Sequence, residues 1–261
     1  MYMSLYFYGE GRVSFSPWQV INIMDMFSEL SHMNYNRINL FEFNEYGEPV
    51  CNRNYYKKES FLRDSFVRDF VSNMSEYASI NASVGKPEDE DSSPFYITFL
   101  QASDNGFPSR ICVLMKVNSY ENTFFAGEMS TILLTLQENH FVTNNSFWEV
   151  HPLRKMFFAL DGCSSSSFFE LLAKSYIDKA ILHFEKYKDR NHIMDVFCCN
   201  SIKADILTDK QKSDITAVCG EDNVLYAANN YIFSVAGSEK TPFSYRIRAW
   251  KKICKIRKII Q

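Results

Sequence analysis

The spacing of apolar residues changes along this chain between a strand-like and a helix-like period. Residues 95–101 and 110–117 are short, β-prone apolar runs, which predict strands. After Ser16-Pro17, apolar residues recur at helical spacing to about Ser31, and a capping serine followed by proline predicts the start of a helix. Strands at hairpin spacing mixed with amphipathic helices are typical of the α+β class. We therefore predict an α+β fold with a mixed or antiparallel sheet and several packed amphipathic helices.

The same patterns predict individual elements along the chain. Predicted strands cover residues 4–8, 37–44, 95–101, 110–117, 193–199, 224–227, 231–235 and 243–249. Predicted helices cover residues 17–31, 57–78, 168–188 and 250–260, and a turn is expected at residues 46–49. Residues 130–136 fit a strand or a buried helix, because periodicity does not separate the two for short apolar runs.

The length of the chain bounds its domain organisation. With 261 residues, of which 46% are apolar, it can bury enough surface to fold. We expect one α+β domain over residues 1–261, with a two-lobed organisation about a break near residues 143–146 as an alternative.

Charge is distributed unevenly between the body of the chain and its end. Eight of the 28 basic side chains lie in residues 240–261, which hold no acidic residue. Residues 1–239 therefore hold 20 basic and 31 acidic side chains, a net charge of -11. We expect the isoleucines of this basic end to pack on the body while its lysines stay in water. The alternatives are that it contacts nucleic acid phosphates or that it lies on an anionic membrane surface.

Cysteine usage and the apolar runs indicate a compartment. The seven cysteines have no regular spacing, which is untypical of a disulfide framework. No run approaches the roughly 18 apolar residues of a membrane span, and the N-terminus is untypical of a secretory signal. These features predict a cytoplasmic protein.

One turn has the context of a nucleotide-binding loop. Residues 9–14, Gly-Glu-Gly-Arg-Val-Ser, follow a predicted strand and precede a predicted helix. However, Ser14 replaces the third glycine, and the helix is expected to begin only at Pro17. A plain connecting turn is the favoured interpretation.

Other arrangements that carry chemistry are incomplete. Cys163 precedes a predicted helix, but nothing in the sequence brings His151 or His183 to it. His183, His192, Cys198 and Cys199 lack the spacing of a zinc site, and Asp64 and Asp69 alternate with arginines on a predicted helix. We therefore predict no catalytic residues, no cofactor and no metal.

In overall character the chain resembles the immunity proteins that bacteria make beside secreted polymorphic toxins, including those of contact-dependent and type VI systems. The resemblance rests on size, composition and the opening pattern of residues 4–31, a strand, Gly9-Glu10-Gly11-Arg12 and a helix. It implies a non-enzymatic inhibitor that binds a cognate toxin and covers its active site. No functional residue is carried over by motif.

An acidic loop is the predicted partner-binding element. Residues 83–94 are polar and rich in proline and serine, so we expect an exposed loop. An acidic run there would steer a basic toxin towards the protein at low salt, although a charge run is more often only solvated. The run consists of Glu88, Asp89, Glu90 and Asp91.

Two other function classes stay open. One is an enzyme with a diverged nucleotide-using site at residues 9–14, which a thermal-shift nucleotide panel would detect. The other is an adaptor that binds nucleic acid through its basic C-terminal tail, with binding that falls steeply as salt rises.

Overall fold

Helices and antiparallel strand pairs build the part of the protein that the structure, a computed structural model, describes: residues 2–84, 95–102, 109–116, 126–151, 199–234 and 252. This confirms the α+β class. The strands are β1 (Tyr2–Gly9), β2 (Arg37–Phe43), β3 (Pro49–Tyr55), β4 (Ala78–Ser83), β5 (Tyr96–Leu100), β6 (Arg110–Lys116), β7 (Thr143–His151), β8 (Cys199–Lys203), β9 (Val224–Ala227) and β10 (Asn230–Ser234). The helices are α1 (Pro17–Ser31), α2 (Lys58–Arg63), α3 (Ser65–Ser72), α4 (Ala126–Glu138) and α5 (Asp209–Cys219).

The chain divides into two compact units. The N-terminal unit comprises Leu5–Lys116 and Thr135–Val142, and the C-terminal unit comprises Met1–Ser4, Val117–Leu134 and Thr143–Gln261. Residues 143–146, where a break was predicted, begin strand β7, and one boundary between the units falls just before Thr143. The prediction of a single domain stays a prediction.

Helix α1 begins where the sequence predicts it. The Ser16 side chain accepts a hydrogen bond from the Gln19 amide, and the Gln19 side chain accepts one from the Ser16 amide, which forms a capping box. Pro17 occupies the first turn, where its missing N–H costs nothing. Phe27 of this helix packs on Phe7 of β1, with ring centroids 5.7 Å apart, so the helix covers the sheet.

The sheet of the N-terminal unit has the strand order β3-β2-β4-β5-β6-β1. The predicted hairpin of residues 95–101 and 110–117 is confirmed, because β5 and β6 pair antiparallel. One face of the sheet carries a row of directly paired apolar side chains, which is buried and forms the core: Ile38, Ala82, Ile97 and Val113.

The opposite face of this sheet is mixed. One row across it is mainly polar, with one member from each of β3, β2, β4, β5 and β6: Asn54, Asn39, Asn81, Thr98 and Cys112. The neighbouring row on the same face includes Phe41 and Leu100. This face therefore departs from the strict alternation of an antiparallel sheet with one solvated side.

The prediction of one helix over residues 57–78 is wrong. The structure has two short helices, α2 and α3, interrupted at Asp64, followed by strand β4 from Ala78. Asp64 is extended, and its carboxylate accepts hydrogen bonds from the Phe66 amide and the Tyr55 hydroxyl. The aspartate therefore caps α3, which outweighs the helical pattern of the apolar residues on either side.

Other elements were missed or left open, among them strand β7, which begins at the predicted break. Strand β3 shows no alternating apolar pattern, because it lies at the edge of the sheet and most of its residues are exposed. Helix α5 was not predicted, although Thr208 and Gln211 form a second capping box. Residues 130–136, left between strand and helix, belong to helix α4.

The C-terminal unit contains the strand order β7-β8-β10-β9, and all three neighbouring pairs are antiparallel. The predicted hairpin of residues 224–235 is confirmed, with its turn at Ala228-Asn229 instead of Asn229-Asn230. Helix α5 packs on β10 through a buried cluster of Ile202, Leu207, Ile215, Cys219, Tyr231 and Phe233.

Several predicted elements lie outside the described residues. These are the helix at 168–188, the strand at 243–249 and most of the strand at 193–199, of which Cys199 begins β8. Of the predicted helix at 250–260, only Lys252 is described, and it is helical.

Candidate functional site: an aromatic and acidic hairpin tip

The loop that joins β2 to β3 is organised by one asparagine. The Asn44 Oδ1 atom accepts hydrogen bonds from the amides of Tyr46, at 3.0 Å, and Glu48, at 2.9 Å. The Asn44 backbone accepts from the Gly47 amide and donates to the Glu48 carbonyl, and its Nδ2 donates to the Glu48 carboxylate. Gly47 has a φ of 79°, which glycine adopts without strain. The loop is thus held in one conformation, as an Asx-turn within a hairpin.

Aromatic side chains are exposed at this tip. Tyr46 is 80% exposed, the largest exposed fraction among the large apolar side chains of the described residues. Phe43 and Tyr77 are also exposed, and the Phe43 amide donates to the Tyr77 carbonyl at 3.2 Å, so the end of β2 lies beside the start of β4. Phe43 stacks on Phe41 with an interplanar angle of 12°. We call Phe43, Tyr46 and Tyr77 with the nearby glutamates the tip patch.

The charged side chains of the hairpin tip are all acidic. Glu42, Glu45 and Glu48 belong to the hairpin, and residues 38–52 contain no lysine or arginine. Glu76 precedes Tyr77, and on that side the Arg12 guanidinium donates to the Met74 carbonyl at 2.7 Å. Exposed aromatic rings beside several carboxylates form a surface suited to a basic partner.

The other end of β3 is anchored by a charged and aromatic cluster. The Arg53 guanidinium lies 3.6 Å from the centre of the Phe66 ring and 3.7 Å from the Asp64 carboxylate. The hydrogen bond from Tyr55, the Phe66 amide and Arg53 together lower the pKa of Asp64. Burial and the bond to Asp64 raise the pKa of Tyr55 to about 12. The hairpin is therefore fixed to α2 and α3 at its base, with the tip patch at its free end.

The predicted partner-binding residues Glu88, Asp89, Glu90 and Asp91 lie outside the described residues. Sequence reasoning missed the tip patch, because residues 46–49 were interpreted only as a turn. A signal was present: Asn44, Glu45 and Glu48 surround an aromatic residue directly after the apolar residues of β2.

The backbone of the turn at residues 9–14 is engaged within the protein. The Gly9 amide donates to the Ser109 carbonyl at 2.8 Å, and the Glu10 amide donates to the Val142 carbonyl at 3.1 Å. The Val13 amide donates to the Ser109 hydroxyl. A Cβ atom on Gly9 would lie 3.3 Å from the Ser109 carbonyl oxygen. The glycine at position 9 allows the close approach of the neighbouring backbone, and the amides of the turn are bonded within the protein. This agrees with the connecting turn that the sequence favoured.

The remaining candidate groups do not come together in the described part of the chain. Cys163, His183, His192 and Cys198 lie outside it; His151 ends β7, and Cys199 is buried in β8. Within the described ranges, no group of three or more His, Cys, Asp or Glu residues is placed to hold a metal ion. Burial raises the pKa of the Cys219 thiol to about 12, which disfavours its thiolate. The described helices include none that is long and apolar enough to span a membrane.

Comparisons with known proteins give distant likenesses. No protein-family model and no curated protein sequence matches the chain. A solved structure of a Pseudomonas aeruginosa T6SS protein aligns with 100% of this chain and 72% of its own, at 11% identity and a TM-score of 0.47. A chain from the structure of the toxic C-terminal tip of CdiA from Pseudomonas aeruginosa in complex with immune protein aligns with 58% of this chain and 86% of its own, at 11% identity and a TM-score of 0.24. Neither likeness is close enough to carry an argument.

Proposed function

We propose that this protein is a non-enzymatic binding protein that neutralises a secreted toxin by covering its surface, and that the tip patch is a principal contact. The observation that supports the proposal is the exposed Tyr46 ring with Glu45 and Glu48 on a loop held by Asn44, together with the exposed Phe43 and Tyr77 rings at the adjoining strand ends. A toxin is proposed as the partner because the sequence resembles immunity proteins in overall character.

Rigidity of the tip favours binding. A flexible loop loses conformational entropy when a partner orders it, which weakens binding. Because the Asn44 hydrogen bonds already order this loop in the free protein, little further entropy is lost on association. Tyrosine is enriched among the residues that dominate interface energies, because it offers a large, stiff surface with a polar end. Tyr46 is therefore expected to be the strongest single contact.

Charge favours fast association with a basic partner. The net charge of -11 over residues 1–239 and the glutamates of the tip patch produce an attractive field for a cationic protein. Because such attraction is screened by salt, the association rate is expected to fall as ionic strength rises. The loop at residues 88–91 stays a predicted second steering element; replacing all four residues with serine and measuring the association rate at low salt tests it.

The test uses the polypeptide encoded by the gene next to this one as the binding probe. Tyr46→Ala is expected to weaken its binding by roughly tenfold or more. The double variant Glu45→Gln/Glu48→Gln is expected to slow association several-fold at low salt and to flatten the salt dependence. Surface plasmon resonance at two or more salt concentrations gives both rate constants.

Matched controls come from the C-terminal unit. Tyr226 is 60% exposed, and the exposed residues Glu221 and Asp222 precede it by five and four positions. Tyr226→Ala and Glu221→Gln/Asp222→Asn therefore make comparable chemical changes elsewhere. Both controls should bind as the wild type does. Failure of the wild-type protein to bind the probe, or equal losses in the control and tip variants, would contradict the proposal.

A further inference from the structure

The N-terminal unit twice places a cation between an aromatic ring and a carboxylate. Arg53 lies over the Phe66 ring beside Asp64. Lys58 lies 5.0 Å from the centre of the Tyr35 ring and is paired with Asp25, which also accepts a hydrogen bond from the Tyr35 hydroxyl at 2.8 Å. In each cluster the ring and the carboxylate attract the cation from two sides.

The hairpin loop holds one exposed ring and two exposed carboxylates within four residues, and the Glu48 carboxylate also accepts a hydrogen bond from Asn44 Nδ2. Tyr46 stands between Glu45 and Gly47, and Glu45 and Glu48 are both exposed. Asn44 fixes the relative positions of Tyr46 and Glu48, since it binds both of their amides. Within the described ranges, no lysine or arginine lies over the Tyr46 ring, in contrast to Phe66, Tyr35 and Tyr226.

We infer that Tyr46, Glu45 and Glu48 form a recognition site for an arginine side chain of the protein partner. This inference rests on the proposed function and specifies the partner's chemistry. The guanidinium stacks on the Tyr46 ring, and its edge donates to the Glu45 and Glu48 carboxylates. The site needs no rearrangement of the hairpin, because the loop hydrogen bonds are already in place.

An arginine fits this site better than a lysine for two physical reasons. A guanidinium is planar, so it stacks on a ring while its N–H groups reach carboxylates in the same plane. It is also more weakly hydrated than an ammonium group, which lowers the cost of covering it at an interface. A lysine analogue is therefore expected to bind this site more weakly than an arginine analogue.

The first experiment uses the full chain alone, with 3-fluorotyrosine placed at position 46. The fluorine resonance is followed during titration with N-acetyl-arginine-methylamide, with the lysine analogue, and with the neutral citrulline analogue. The resonance is expected to shift most with arginine, less with lysine and least with citrulline. The same label at position 226 is the matched control, because Lys212 already lies 6.0 Å from that ring centre.

A response at position 46 that is the same for citrulline and arginine, or the absence of any shift, would overturn the inference. Glu45→Gln/Glu48→Gln should reduce the response to arginine without changing the label at position 226. A response at position 226 equal to that at position 46 would also count against the site.

The second experiment separates this inference from the proposed function. Binding of the neighbouring-gene polypeptide is measured for Tyr46→Phe, which keeps the aromatic ring, and Tyr46→Leu, which keeps an apolar side chain without it. Tyr46→Phe should stay within about threefold of the wild type, and Tyr46→Leu should weaken binding by about fivefold to thirtyfold. Equal binding by the two variants would refute arginine stacking while the proposed function stands; no binding by the wild type would refute the proposed function itself.

Discussion

The β2–β3 hairpin and the β9–β10 hairpin each end a strand order, yet they are built in opposite ways. The first has a longer loop held by Asn44, and it exposes Phe43 and Tyr46. The second turns through two residues, Ala228 and Asn229, with φ of 49° and 60°, and every residue of its β10 strand is buried. The longer loop holds Tyr46 out to solvent, whereas the two-residue turn carries no aromatic side chain and the exposed Tyr226 lies on the edge strand β9.

The comparison predicts the largest effect at the base of the second hairpin. Phe233→Ala should lower the free energy of unfolding by about 3–5 kcal/mol, because Phe233 is fully buried in the cluster under α5. Phe43→Ala in the first hairpin should cost about 1 kcal/mol or less, since that ring is exposed. Urea unfolding of both variants checks the difference, and similar losses would contradict the contrast between the hairpins.

The next effect concerns pH and Tyr231. This side chain is fully buried, and its hydroxyl donates to the Lys212 carbonyl at 2.9 Å. Burial raises the pKa of Tyr231 to about 12, above the ordinary value of 10.0. The unfolded chain therefore loses this proton first as pH rises above about 10, so stability is expected to fall by about 1–2 kcal/mol across the window from about 10 to 12.

Tyr231→Phe isolates this contribution from those of other tyrosines. The variant should be about 1 kcal/mol less stable near neutral pH, because the Lys212 carbonyl loses a donor. It should also lose less stability than the wild type above pH 10 or so. Parallel slopes for the two proteins would show that Tyr231 does not titrate as predicted.

A smaller effect is expected at the first hairpin. Asn44→Ala removes the acceptor of the Tyr46 and Glu48 amides. The free energy of unfolding should fall by only about 1 kcal/mol, because water can replace the lost acceptor in an exposed loop. Hydrogen exchange at those two amides should speed up markedly. Asn44→Asp combined with Glu48→Gln keeps the acceptor oxygen without placing two carboxylates together, because Asn44 Nδ2 donates to the Glu48 carboxylate in the wild type. This double variant should retain more protection than Asn44→Ala combined with Glu48→Gln, and equal exchange in the two would argue against the organising role of Asn44.

The smallest effect is a gain in the second hairpin. Ala228 adopts the left-handed conformation, which is unfavourable for alanine. Asparagine adopts this conformation more readily in two-residue turns. Ala228→Asn should raise stability by about 0.5–1 kcal/mol, measured as a small increase in Tm. A decrease would show that the turn is not strained at this position.

Local chemistry explains which elements could be predicted. Ser16, Pro17 and Gln19 specify the start of α1 through contacts within a few residues, so the sequence predicts it to the residue. The helix predicted over residues 57–78 failed, because Asp64 binds Tyr55, whose position depends on the pairing of β2 with β3. Strand β3 was missed for a related reason, since an exposed edge strand needs no apolar alternation.

The candidate site shows the same division. The acidic character of the body, which already favoured a basic partner, and the turn at residues 46–49 are properties of the sequence. The tip patch required tertiary structure, because Phe43 and Tyr77 meet only when β2 pairs with β4.

The order of residues along the chain was sufficient for several features that depend on neighbours a few positions apart, namely the cap of α1 and the turn at residues 46–49, and for the sign of the charge and the α+β class. Long-range pairing decided the rest, including the edge position of β3, the interruption at Asp64 and the grouping of aromatic side chains at the tip. The physical reason is that a side chain's exposure depends on which distant strand covers it, and local patterns carry little information about that partner.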